Sequence, residues 1–248
     1  LRTARTVQLT VAGERYLQQV KEALDKLACL ARPRLGDRAR ERLTIVSPPT
    51  FARQLLITRL PRFTAAHPEV DIELSLSIPF SELKAGDADV EIRFGDGQAP
   101  GMQVVRLFAE QVFPVASRPY VRQLKPRGRL TPVEISTATL LRNPRESWQQ
   151  WFRAAGLERP EPRDGPLFND LGLLIEAAAQ GQGVALARSV LAAAWLESGA
   201  VVRLSPIEVV SANAYHVITS PRRGTRPVVA RFVDWLCREA FADQPAAS

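Results

Sequence analysis

The apolar positions change period along the chain, and the changes divide it. From Thr10, in TVAGERYLQQVKEALDKLACLARP, Leu17, Val20, Leu24, Leu27 and Ala31 recur three and four residues apart with charge on the other faces. That spacing predicts an amphipathic helix over 10–32, with Thr10 suited to the N-cap and Pro33 just beyond the end. A single helix with one apolar stripe needs a cover. The following RPRLGDRARER is polar and charged, carries Pro33 and Gly36, and reads as a hinge over 33–42. The stripe is therefore expected to pair with a second copy as a short coiled coil through Leu17, Val20, Leu24 and Leu27.

Beyond the hinge the pattern alternates. Strand-like runs over 43–46, 70–77, 88–94 and 104–115 are interleaved with helical patterns over 51–66 and 80–84. A second alternation has strands over 139–142, 166–168, 184–187 and 201–204, and helices over 146–155, 170–180 and 189–197. A strand over 214–220 and a helix over 227–241 close the pattern. Strands alternating with helices predict an α/β fold with mostly parallel sheets, in a length that allows two domains.

One stretch, LTIVSPPTFARQLLITRLPRF, runs from a strand through Ser47, Pro48, Pro49 and Thr50 straight into a helix. Three readings are open: an exposed nucleophile, a helix start that caps only itself, or a helix N-terminus facing a ligand. Pro48 and Pro49 delay the helix and Thr50 can cap it, leaving the N–H groups of Phe51 and Ala52 unpaired, where a carboxylate could bind. A serine nucleophile would need His67 or His216 as base, neither has an evident third partner, and there is no Gly-x-Ser-x-Gly elbow. His67, before Pro68, suits a cap at a helix end. GQG, at 181–183, follows a helix and precedes a strand, the reverse of a phosphate-binding loop, and reads as a helix C-cap.

Composition narrows the class. The 248 residues are 46% apolar with ordinary Gly and Pro content, enough for a substantial core. No run approaches a membrane span, and the first residues, LRTAR, lack an apolar signal region, so a cytoplasmic protein is expected. Cys29 and Cys237 lie far apart, and with two histidines they offer no metal-ligand spacing; neither a metal nor a cofactor is expected. Of the net charge of +7, residues 1–42 carry +5. A polyanionic partner is thus expected near the amino end of a nearly neutral body, although a solvated basic helix would carry the same charge.

These segments resemble a known family. LRTARTVQLTVAGERYLQQVKEALDKL is similar to the end of the winged DNA-binding domain and the linker helix of LysR-type transcriptional regulators, with spaced arginines before Leu-Thr-x-x-Gly. LPRFTAAHPEVDIEL, LKAGDADVEIRFGDG, SWQQWFRAAGL and LIEAAAQGQGVALARSVL resemble, in order, segments of that family's effector-binding domain. SPPTFARQLL and the tryptophan helix with Ala-Ala-Gly suggest the branch of the glycine-cleavage activator and the β-lactamase regulator. The helix-turn-helix that would precede Leu1 is absent, so the sequence reads as a fragment of a longer regulator.

The resemblance implies two Rossmann-like subdomains flanking a cleft, as in type 2 periplasmic binding proteins. Residues 1–9 would be the remnant of the wing, 10–32 the linker helix, 33–42 the hinge, 43–115 with 216–241 subdomain I, 116–215 subdomain II, and 242–248 a tail. A small-molecule effector would occupy the cleft, promoter DNA would be bound through the missing N-terminal domain, and no catalysis or membrane contact is implied. Homodimers would form through the linker helix and by packing the helix after Phe51, with Leu55 and Leu56, on the partner's helix after Asp170, with Leu174. Such dimers would pair into tetramers. A periplasmic-type solute-binding protein is the alternative; it would share the fold but need export and no paired helix.

Strand ends supply the cleft candidates. Ser47, Pro49, Thr50 and Phe51 come from the first; Arg93, Phe94 and Gly95 from IRFG, where alternation turns only one of Arg93 and Phe94 inward. Arg142 offers a carboxylate fork. Trp148 and Trp151 share a helix face and suit a core, with Trp148 nearer the cleft. Asn169 or Asp170 is expected to cap the next helix, and the charge of Asp170 argues against a purely anionic effector. One of Tyr215 and His216 is expected to face the cleft.

Overall fold

The structure, a computed structural model, describes residues 2–3, 6–7, 10, 12–13, 16–17, 20, 40–77 and 88–241. By its internal contacts the chain forms two compact units, Leu1–Glu41 and Arg42–Ser248. In the first, β1 (Arg2–Thr3) pairs antiparallel with β2 (Thr6–Val7) as a small hairpin. Residues 12–13, 16–17 and 20 are helical, and Thr10 Oγ1 accepts the Gly13 N–H as an N-cap does. Leu17 is exposed and Val20 half-buried. Leu24 and Leu27 lie outside the described residues, as do Cys29 and the helix expected over 80–84.

The second unit is built on a seven-stranded sheet ordered β4-β3-β5-β9-β6-β7, with β8 also on β6. Its strands are β3 (Glu41–Ser47), β4 (Val70–Leu76), β5 (Val90–Gly95), β6 (Gln103–Ala116), β7 (Ala185–Arg188), β8 (Val202–Arg203) and β9 (Val209–Thr219). Alternation sets their faces: Leu43, Ile45 and Ser47 are buried along β3, and Val90, Ile92 and Phe94 along β5.

The expectation of mostly parallel sheets is corrected. β3 and β5 are parallel, but β5·β9, β6·β7, β6·β8 and β6·β9 are antiparallel. The cause is long-range: β6, 14 residues, and β9, 11 residues, come from distant parts of the sequence and pair along most of their length. Both predicted strands around Leu140 and Leu167 reduce to single parallel bridges, Leu140 to Val184 and Arg142 to Leu167.

The stretch after Pro48 is continuously helical: α1 (Pro49–Phe51), a π-helical stretch Ala52–Leu56, and α2 (Ile57–Ala66). The helices that follow are α3 (Arg118–Leu124), α4 (Pro132–Thr137), α5 (Trp148–Ala154), α6 (Leu171–Ala179), α7 (Ala193–Glu197), α8 (Pro221–Gly224) and α9 (Pro227–Phe241). Both α3 and α4 went unread in the apolar pattern because they are short. Yet Thr131-Pro-Val-Glu134 carries a full capping box, with the Thr131 side chain accepting the Glu134 N–H and the Glu134 carboxylate accepting the Thr131 N–H. After α6, Gly181 at φ 76° lets the Gly181 and Gln182 N–H groups reach the carbonyls of Ala178 and Ala177. This is the Schellman geometry expected of GQG.

Two apolar clusters fill the unit. The larger joins β3, β5, β6 and β9 to the helix after Pro48, to α6 and to α9, with Phe63 edge-on to Phe232 at 5.2 Å. The smaller gathers Trp148, Trp151 and Phe152 on α5. Burial of each such ring contributes roughly 1.5–3 kcal/mol. Among the described residues no helix is long and apolar enough to cross a membrane.

Candidate functional site

The ends of β3, β5 and β9 bring their side chains to a cavity of about 340 Å³ bordered by Pro48, Glu91, Arg93, Phe94, Gly95, Gly97, Arg145 and His216. A smaller space, about 30 Å³, shares Pro48, Phe94 and Arg145 with it and is closed by Pro49, Thr50, Asn143, Asn169, Asp170, Arg188 and Tyr215. Two broader grooves, about 610 and 820 Å³, lie around Arg129 and Arg163, apart from the ends of β3, β5 and β9. The 340 Å³ cavity is within the range of small-molecule sites and collects the polar groups best placed for recognition.

His216 is only 7% exposed and its Nδ1 has no hydrogen-bond partner among the described residues. Its Nε2 faces Gly97, whose φ is 82° and where a Cβ would lie 2.8 Å from that nitrogen. Gly97 is thus required twice over, by backbone and by contact. Arg145 is held by its backbone: its N–H donates to Asn143 Oδ1 at 2.9 Å, and its carbonyl accepts from Asn213 Nδ2 at 3.0 Å. Its guanidinium makes no hydrogen bond or ion pair among the described residues and lies beside Gly95.

Beneath the small space is a buried polar network. Arg188 donates to Glu146 at 2.6 Å and to the Tyr215 hydroxyl at 2.9 Å, and its guanidinium lies 3.4 Å from the Phe94 ring centre. Ser211 donates to both Glu146 oxygens at 3.1–3.2 Å. Burial pushes the Tyr215 phenol up, against the pull of Arg188. Nearby Glu110 accepts the Val190 and Leu191 N–H groups at 2.6 and 3.1 Å, and burial raises its carboxyl to about 7, opposed by Arg188.

The two helix starts meet here. Asp170 caps α6 by accepting the Leu173 N–H at 3.0 Å, as expected for that position. Thr50 does not cap its own helix; its hydroxyl donates to Asp170 at 3.0 Å and accepts the Gly172 N–H at 2.8 Å. Of the two N–H groups expected to be open, those of Phe51 and Ala52, the Ala52 N–H bonds to Pro48 O at 3.0 Å.

Other candidates fall elsewhere. Ser47 is buried with its hydroxyl donating to Pro48 O, and Phe51 is buried against Phe108 and Tyr215, so neither side chain reaches a cavity. Trp148 is in the smaller core, its Nε1 donating to Leu141 O at 2.9 Å. The Arg142 fork is taken by Gly165 O and Pro162 O. Of the IRFG pair, Phe94 turns into the core beneath the cavity, while Arg93 pairs with Glu91 at its rim. Both Tyr215 and His216 border a space, His216 the larger and Tyr215 the smaller. Leu55, Leu56 and Leu174 are wholly buried in their own unit, which corrects their assignment to a dimer contact. His67 ends α2 through its N–H to Phe63 O, with its ring 4.7 Å from Phe63.

Arg145, Asn143, Gly97 and Arg188 were not singled out in the sequence. NPRE, at 143–146, was legible as a turn, and a turn directly after a strand end is where such residues fall.

A mixed sheet threaded by two long antiparallel strands, with helix starts meeting between strand ends, is the architecture of a type 2 periplasmic-binding-protein-like domain. Residues 36–240 match the family model for the LysR substrate binding domain, and the chain belongs to that family. It is 32% identical over 244 residues to the glycine cleavage system transcriptional activator of Escherichia coli K12, covering 98% of this chain and 79% of that protein. It is equally 32% identical over 244 residues to the transcriptional activator AmpR of Pseudomonas aeruginosa, covering 98% of this chain and 80% of that protein. The AmpR effector domain from the same organism superposes with a TM-score of 0.73 at 30% identity, over 81% of this chain and 96% of that one. Full-length AphB of Vibrio cholerae, at 21% identity and TM-score 0.67 over 95% of this chain and 82% of that one, shares the fold.

Proposed function

We propose that this chain senses a small molecule in the 340 Å³ cavity and transmits its binding to a dimeric or tetrameric regulator on promoter DNA. The observation that carries the reading is a cavity built from strand ends whose wall holds the buried His216 ring beside an Arg145 guanidinium that makes no hydrogen bond or ion pair among the described residues. The named relatives are transcriptional activators, which favours regulation over solute transport and over catalysis. In this reading the protein is cytoplasmic, residues 43–115 with 216–241 and 116–215 act as the two subdomains, and DNA is bound by a winged domain ahead of the linker helix. An effector acts by binding one assembly state more tightly than another.

A metabolite screen by thermal shift on the wild type and on His216→Ala tests this. Hits are expected to raise the wild-type midpoint and to lose most of that rise in His216→Ala. Hits that stabilise both chains equally would move the effector site away from this cavity.

A further inference from the structure

Resting on that reading of the cavity, the geometry points to the ligand's chemistry: we infer that it carries a carboxylate gripped by Arg145, with a neighbouring polar group read by His216. The other arginines around the strand ends are engaged, Arg93 by Glu91, Arg142 by two carbonyls and Arg188 by Glu146 and Tyr215. Arg145 is the guanidinium on this wall whose donors are unused among the described residues, while hydrogen bonds at both sides of its backbone fix where it starts. A planar fork beside a glycine suits two-point binding of a carboxylate, because Gly95 adds no side chain to keep the anion away.

Two carboxylates, Glu91 and Asp96, border the cavity itself, and Asp170 borders the smaller space beside it. Glu91 is neutralised by Arg93, Asp170 is held by the Thr50 hydroxyl and the Leu173 N–H, and the exposed Asp96 accepts the Gln98 N–H. Asp170, whose charge argued against a purely anionic effector, borders the smaller space and not the 340 Å³ cavity. His216 borders the same cavity with its Nε2 turned toward Gly97, so this edge of the ring is the one a polar ligand group beside Gly97 meets. A cavity of about 340 Å³ restricts the ligand to a small metabolite.

Acetate and its neutral counterpart acetamide are the probes, titrated into labelled protein and followed by the Arg145 Nε–H, Gly95 N–H and His216 ring resonances, with sodium chloride as an ionic-strength control. Acetate is expected to shift all three saturably, and acetamide to bind about tenfold more weakly or worse. Arg145→Gln, checked for an unchanged circular dichroism spectrum, is expected to lose about tenfold or more of the acetate affinity, and Arg145→Lys less. Acetate and acetamide behaving alike, no saturable acetate shift, or full acetate affinity in Arg145→Gln would each overturn the carboxylate assignment. Should a neutral metabolite still shift Gly95 and His216 in that event, the cavity stands as a ligand site and only its ligand class is wrong.

Discussion

The Thr50 hydroxyl does two things at once: it donates to Asp170 and accepts the Gly172 N–H, all three groups being buried. Thr50→Val keeps the shape but leaves a carboxylate oxygen and an N–H without that partner, at a cost of about 1–3 kcal/mol, whereas Thr50→Ser keeps both bonds and is expected to cost less than about 1 kcal/mol. Urea unfolding midpoints separate the two, and equal losses would mean that the methyl group, not the hydroxyl, matters. Glu110 is a residue-scale case with a pH signature. The folded chain holds its proton up to about pH 7, the unfolded chain releases it near 4.5, so between these values the folded state binds more protons. Stability contributed there is present at low pH and declines as pH rises from about 5 to about 7. Glu110→Gln is expected to remove that decline, gaining on the order of 3 kcal/mol over the wild type at alkaline pH. Parallel stability–pH curves for the two proteins would show that Glu110 does not hold its proton in the folded state.

Between elements, Arg188 is the crossing point: it starts on β7, pairs with Glu146 ahead of α5, bonds to Tyr215 on β9 and stacks on Phe94 of β5. Arg188→Met strands Glu146 without its cation and is expected to cost about 3–5 kcal/mol. Adding Glu146→Gln is expected to cost far less than its separate effect, and strict additivity in the double-mutant cycle would refute the coupling. This network also marks what the sequence could and could not tell. Period and capping residues located β3, β5, β9, α6 and α9 within a few positions, because those signals are local. They misjudged the sheet, since β6·β9 pairing joins residues about a hundred apart and leaves no trace in either strand's own alternation. At the site they found the strand ends and singled out Arg142, whose guanidinium is taken by backbone carbonyls, but passed over Arg145, three residues on, which borders the cavity. Which arginine of a turn faces the cavity depends on carbonyls at Pro162 and Gly165 that only folding brings near. Thr50 was likewise noticed for the right chemistry and given the wrong helix, because its partners lie 120 and 122 residues away.

For the molecule as a whole, burial redraws the proposed dimer. Leu55, Leu56 and Leu174 serve their own core, so a contact that uses these two helices must use their outward faces. Those faces hold Ile57 and Leu173, each 51% exposed, on helices whose starts are tied together by Thr50 and Asp170. An exposed apolar residue alone is ordinary, but one on each of two helices joined in this way suits a self-complementary contact, in which each helix meets the other kind on its partner. Leu173→Glu is expected to place a charge in that contact and lower the solution mass by sedimentation equilibrium, with little change in the unfolding midpoint because the residue lies outside the core. Leu174→Glu is expected to do the opposite and unfold the domain. If Leu173→Glu keeps the wild-type mass, assembly is carried by other surfaces, and the effector would have to act through them.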